Sequence, residues 1–181
     1  MAQILVPAGP PGTGVITNAM IASDAAIAYS KMQDTNRLVG IINAFKDADQ
    51  NLANSTTLAD DDDLFFTLIS GGGYIFDCMI SLSSAINVDF DMQWTDPGGT
   101  FELYWEYLNG AGTLLSEGII IDTTGEVAFD TADSTRHMLF FHGFLENMSA
   151  GTFQLQWAQG TTSATNAFVR DGSWLRAMRT I

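Results

Sequence analysis

Positive charge is what this chain has least of. Its 181 residues hold seven Lys and Arg against 21 Asp and Glu, a formal net charge of −14. Binding a phosphate backbone needs clustered cations, so a nucleic-acid partner is not expected. A single cysteine, Cys78, rules out an internal disulfide framework. It sits within an apolar alternation and reads as a buried, inert thiol suited to a reducing cytoplasm. Two histidines, His137 and His142, without zinc-type spacing leave no metal site to expect. No apolar run approaches the roughly 20 residues of a membrane helix. MAQILVPAGPPG has no basic n-region, so neither a secretory signal nor a membrane partner is expected.

The charge is unevenly spread. Residues 1–58 carry Lys31, Arg37 and Lys46 against four acids. Residues 59–181 carry Arg136, Arg170, Arg176 and Arg179 against 17. Nearly all the negative charge lies on the second segment, where it favours solubility on a crowded surface.

That segment is also where the hydrophobic pattern turns to period two. Ile86, Val88, Phe90, Met92 and Trp94 alternate with polar residues, and so do Phe101, Leu103, Trp105 and Tyr107. Phe153, Leu155 and Trp157 repeat the rhythm, and Tyr74, Phe76, Cys78, Ile80 and Leu82 form a further inward row. Such alternation marks strands with one buried face. More strands are expected at 64–69, 114–121, 126–130, 167–169 and 173–180. Met138–Leu145, MLFFHGFL, is apolar on both faces, as in a central strand or a subunit contact. Leu139, Phe141 and His142 are its candidate contact residues. Glycine-rich turns at 70–73, 96–99, 109–112 and 123–125 separate the strands. This spacing of short strands means a sandwich or a barrel.

The first 58 residues read differently. Residues 1–14 are Pro- and Gly-rich and without periodicity. Residues 17–32 favour one or two short helices, too short to stand alone. Over 36–54, Leu38, Ile41, Ile42 and Phe45 fall on one face of a helix, although Gly40 weakens that reading. The segment is expected to be an attachment arm, extended with short helices. Its apolar docking residues would be Ile16, Met20, Ile21, Ile27, Tyr29, Leu38, Ile41, Ile42 and Phe45.

Two sets of residues carry a resemblance. Ile16–Met32, ITNAMIASDAAIAYSKM, resembles a linker phrase of bacteriophage fibre-type proteins. Leu58–Leu64, Ser70–Phe76, Gly151–Gln159 (GTFQLQWAQ) and Asp171–Leu175 stand in an order similar to the C-terminal jelly-roll domains of phage virion surface proteins, of the head-decoration, head-fibre and tail-fibre type. The resemblance implies an all-β fold: a jelly-roll-like antiparallel β-sandwich over 59–181, preceded by the arm at 1–58. It also implies a homotrimer displayed on a virion assembled in the host cytoplasm, with phage capsid or tail proteins as partners. The arm phrase occurs once and the chain is short, which favours capsid decoration. A tail fibre or receptor-binding tip that binds host glycans is the alternative.

No motif argues for catalysis or a cofactor. Gly9-Pro10-Pro11-Gly12-Thr13-Gly14 copies the front of a phosphate-binding loop, but Val15 and Ile16 replace the Lys and Ser/Thr that reach phosphate and Mg²⁺. No G-x-S-x-G elbow is present. Asp60–Asp63 reads as a solvated lead-in to the first strand rather than a Ca²⁺ loop. Trp94, Trp105 and Tyr107 read as core, and Tyr104 as a surface aromatic.

Overall fold

In this computed structural model the described residues are 40–84, 88–121, 127–129 and 135–180. They belong to a compact unit spanning 35–181. The period-two segments become strands, with large apolar side chains turned to one side of each. In chain order the strands are β1 (Ile41–Phe45), β2 (Gln50–Leu52), β3 (Ala59–Leu68), β4 (Gly72–Ser83), β5 (Phe90–Thr95) and β6 (Thr100–Leu108). They continue with β7 (Leu114–Ile120), β8 (Val127–Phe129), β9 (His137–Met148), β10 (Gly151–Gln159), β11 (Ala167–Val169) and β12 (Trp174–Arg179). There is no helix among the described residues.

Two antiparallel sheets pack into the expected β-sandwich. The larger runs β1-β12-β4-β9-β6-β7, with β11 joined to β4 and to β2; the smaller runs β3-β10-β5-β8. Neighbouring strands are seldom consecutive in the chain, as in Greek-key sandwiches. MLFFHGFL lies on β9, between β4 and β6 in the middle of the larger sheet, with Leu139, Phe141 and Leu145 buried inward and Phe144 exposed outward.

The core is aromatic. Trp94 and Phe153 of the smaller sheet stack with centroids 5.0 Å apart. Phe76 and Phe141 of the larger sheet meet Trp94 edge-on at 5.1 and 5.5 Å. Such pairs add about 0.5–1.5 kcal/mol each beyond the area they bury. Trp94, Trp105 and Tyr107 are core residues, as their alternation implied, and Cys78 is buried and free.

The helix expected over 36–54 is overturned in its described part. Residues 41–45 and 50–52 are strands, not helix, and both precede residue 59. β1 pairs with β12 and β2 with β11, so the sandwich takes in part of the stretch assigned to the arm. Gly40 has φ of 98°, a left-handed turn that a helix cannot cross. Ile41 and Phe45, four apart, also share a strand face, so the helical spacing did not discriminate. The expected helices at 17–32 lie outside the described residues.

Candidate functional site

The register of the larger sheet lines up its outward side chains in rows. One row runs Ile41, Met178, Ile75, Phe144, Glu102 across β1, β12, β4, β9 and β6. The next runs Asn43, Arg176, Asp77, His142, Tyr104, Ile119 and ends on β7. A third runs Phe45, Trp174, Met79, Phe140, Glu106, Glu117. The first and third rows are thus apolar over β1, β12, β4 and β9 and acidic over β6 and β7, with a polar row between them. Ile41 is 62% exposed, Phe45 67%, Ile75 44% and Phe144 40%.

A polar seam crosses this face. Arg176 Nη2 donates to Asp77 Oδ2 at 2.7 Å. His142 stacks on Tyr104 with centroids 5.6 Å apart. The Tyr104 hydroxyl donates to Glu117 Oε2 at 2.5 Å. That bond, with the negative charges of Glu117 and Glu106 nearby, pushes the phenol up to about 12, because ionisation would break the bond and add a like charge. At one end, Gly73, Ile75, Phe144, Glu146, Asn147 and Thr180 line an open groove of about 350 Å³. It forms where a bulge shifts the β4–β9 register between Gly72 and Tyr74.

The smaller sheet presents the opposite character. Its outward side chains include Thr67, Gln93, Thr95, Thr152, Gln154 and Gln156, with Phe65 as an exposed apolar exception. One outer side of the sandwich is therefore largely polar, and the other carries exposed apolar strips on either side of a polar row.

The residues expected to act are scattered. Ile16, Met20, Ile21, Ile27, Tyr29 and Leu38 lie outside the described residues. Ile41 and Phe45 stand on the outer apolar face, whereas Ile42 turns inward against the core. Leu139 and Phe141 are wholly buried between the sheets, so within this packing they offer no surface to another subunit. His142, between them and Phe144, does point outward. The acidic run is also not simply a solvated lead-in. Asp61 is buried, and its Oδ1 lies 3.1 Å from Lys46 Nζ. Lys46 also donates to Asp63 Oδ2 and Gln50 Oε1, each at 3.0 Å. A cation of the chain itself thus sits where these carboxylates converge. Among the described residues no group of three or more His, Cys, Asp or Glu is arranged to hold a metal.

No protein-family profile matches the chain, and no curated protein matches it. Among solved structures it is similar to a capsid protein of infectious bursal disease virus. The VP2 subviral particle gives 7% identity and a TM-score of 0.22, covering 77% of this chain and 39% of that one. The Gx strain structure gives 8% identity and a TM-score of 0.21, covering 77% and 40%. The chain thus spans about two fifths of the length of the chains it matches. Likeness at this level carries no argument about activity.

The outer face was only partly visible in the sequence. MLFFHGFL announced its β9 strip by being apolar at every position but two. Ile75 and Met79 stand at the off-beat positions of a strand read for its inward row, and Trp174 and Met178 on a strand for which the alternation showed no row. No sequence signal placed those four beside one another, since β4, β9 and β12 are far apart in the chain.

Proposed function

We propose that this chain is a non-enzymatic structural protein of a bacteriophage particle, a capsid decoration protein held to the head by its N-terminal arm and self-associated through its sandwich. The observation that carries the reading is the contrast between the two outer faces. A body with one wet face and one that leaves Ile41, Phe45, Ile75 and Phe144 exposed is suited to packing into an assembly. The acidic sandwich suits display on a crowded particle surface. The resemblance of Ile16–Met32 and of GTFQLQWAQ to phage virion proteins supplies the kind of assembly.

Attachment by several arms raises effective concentration, so modest docking of each arm adds up to firm binding. The test is removal of residues 1–32, followed by titration onto heads lacking the protein. The truncated chain should fail to saturate them while the full chain does. Saturation by both would sink the anchoring role. Imaging then separates the two addresses: many copies at capsid symmetry points mean decoration, whereas a few at the tail with glycan binding mean a fibre tip.

A further inference from the structure

We infer that Lys46 and Asp61 join in an isopeptide bond, formed by the folded chain itself with loss of one water and with Asp63 as the proton carrier. The inference is independent of the decoration reading and of any self-association.

The reacting groups are already assembled. Lys46 follows β1 of the larger sheet, and Asp61 lies on β3 of the smaller one. Their side chains are 1% and 0% exposed, with Nζ 3.1 Å from Oδ1. The three protons of the ammonium go to Asp61 Oδ1, Asp63 Oδ2 and Gln50 Oε1. Gln50 is itself fixed, accepting from the N–H of Asp62 and donating to the carbonyl of Asp60. Asp61 Oδ1 also accepts from the backbone N–H groups of Asp63 at 3.0 Å and Leu64 at 2.9 Å. Two such donors make the cradle that stabilises an oxygen gaining negative charge when its carbon is attacked. The other oxygen, Oδ2, is buried without a hydrogen-bond partner. One oxygen is thus held in place and the other is unencumbered. An ion pair alone leaves that costly buried oxygen unexplained.

The reaction is a condensation that needs no other reagent. Nζ gives up two of its three protons, and Asp63 carries each of them to Oδ2. The nitrogen lone pair forms the bond to Cγ, while the charge passing onto Oδ1 rests on the two N–H groups. The Cγ–Oδ2 bond breaks, and Oδ2 leaves as water with both protons. The amide keeps one N–H for Gln50, and Oδ1 keeps its two donors, so the product inherits the hydrogen bonds of the reactants. Holding amine and carboxyl together makes the step effectively unimolecular. Turning two buried charges into a neutral amide removes the desolvation cost that the ion pair carries. Asp63, with its side chain 34% exposed, stands at the solvent side of the pair. β1 pairs with β12 alone at one end of the larger sheet. The link ties that edge to the smaller sheet, so a pull on the residues before β1 cannot peel it away without loading β3.

The experiment is mass spectrometry of the full chain, denatured and digested after incubation in the folded state. Lys46 is the only tryptic site between Arg37 and Arg136, and trypsin does not cut at an acylated lysine. The digest should therefore contain 38–136, one water lighter than its sequence, in place of 38–46 and 47–136. Chymotrypsin should release a branched peptide whose fragmentation joins Lys46 to Asp61. Lys46→Arg keeps a cation but has no amine to react, and should yield 38–46 and 47–136 at full mass. Asp63→Asn should lower the linked fraction severalfold with an unchanged β-sheet circular dichroism spectrum. Loss of stability in a Lys46 variant is expected of an ion pair as well, so the covalent mass is the readout. Release of 38–46 as the main product from the wild type would overturn the inference. So would a water lost anywhere but between Lys46 and Asp61, or an Asp63→Asn protein linked as completely as the wild type.

Discussion

Lys46 Nζ lies 3.1 Å from Asp61 Oδ1, with the two side chains 1% and 0% exposed. The pair ties the end of β1, in the larger sheet, to β3 in the smaller one. Asp61 Oδ1 also accepts from the backbone N–H groups of Asp63 and Leu64, so the carboxylate is held on several sides. Removing one partner of a buried pair leaves the other charge uncompensated, at about 3–5 kcal/mol. Lys46→Met should lower unfolding free energy by that order in urea titration. Adding Asp61→Leu should recover part of the loss. A Lys46→Met protein as stable as wild type would show the pair to be inert.

Gly143 decides how closely β6 and β9 approach. A Cβ there would fall on the Glu102 carbonyl, and it would lie 3.0 Å from Leu103 Cα. Both clashes are with backbone, which cannot swing aside. Gly143→Ala should therefore destabilise by about 1–3 kcal/mol or more, the range for overpacking. A melting temperature equal to wild type would contradict the register at this point.

Cys78 is buried beneath the β4 surface. Burial, then the negative charges of Asp61 and Asp77, push its thiol well above the ordinary 9.0. The thiolate is the reactive form. An aromatic disulfide reagent at neutral pH should leave the folded protein unlabelled and modify one thiol once denaturant is added. Rapid labelling of native protein would place Cys78 at the surface.

Asp49 sets an acid limit. The backbone N–H of Asp171 donates to its Oδ1 at 2.9 Å, and Arg170 Nη1 to its Oδ2 at 2.6 Å. These bonds hold the carboxyl below its ordinary 3.8. A carboxyl lowered by folding stabilises the native state above its unfolded value, and that contribution is lost as pH falls through the folded one. Stability should therefore decline as pH falls below the ordinary 3.8 toward the lowered value of the folded state. Asp49→Asn should flatten that part of the profile while lowering stability at neutral pH. An unchanged acid limb in the variant would refute the assignment.

The aromatic centre gives the sharpest packing test. Phe153 meets Phe66 and Phe76 at 5.6 Å as well as stacking on Trp94. Phe153→Ala should cost about 3–5 kcal/mol, the range for a large aromatic in a core. A much smaller loss in denaturant titration would mean that the two sheets do not interlock there.

Taken alone, the amino-acid order determined the all-β class, most strand positions and nearly all the inward rows, because strand periodicity is a local property of two-residue spacing. Trp94, Phe153 and Trp157 are core residues on that ground alone. What the tertiary structure decided is everything that depends on which strands lie side by side. It made Ile41–Phe45 a strand, because β12, more than a hundred residues later, supplies its hydrogen bonds. It buried Asp61, because Lys46 arrives from another sheet. It also set Ile75, Phe144 and Met178 in one row and left that row open to water. Pairing between distant strands follows from the packing of the whole chain, and no local pattern of residues encodes it.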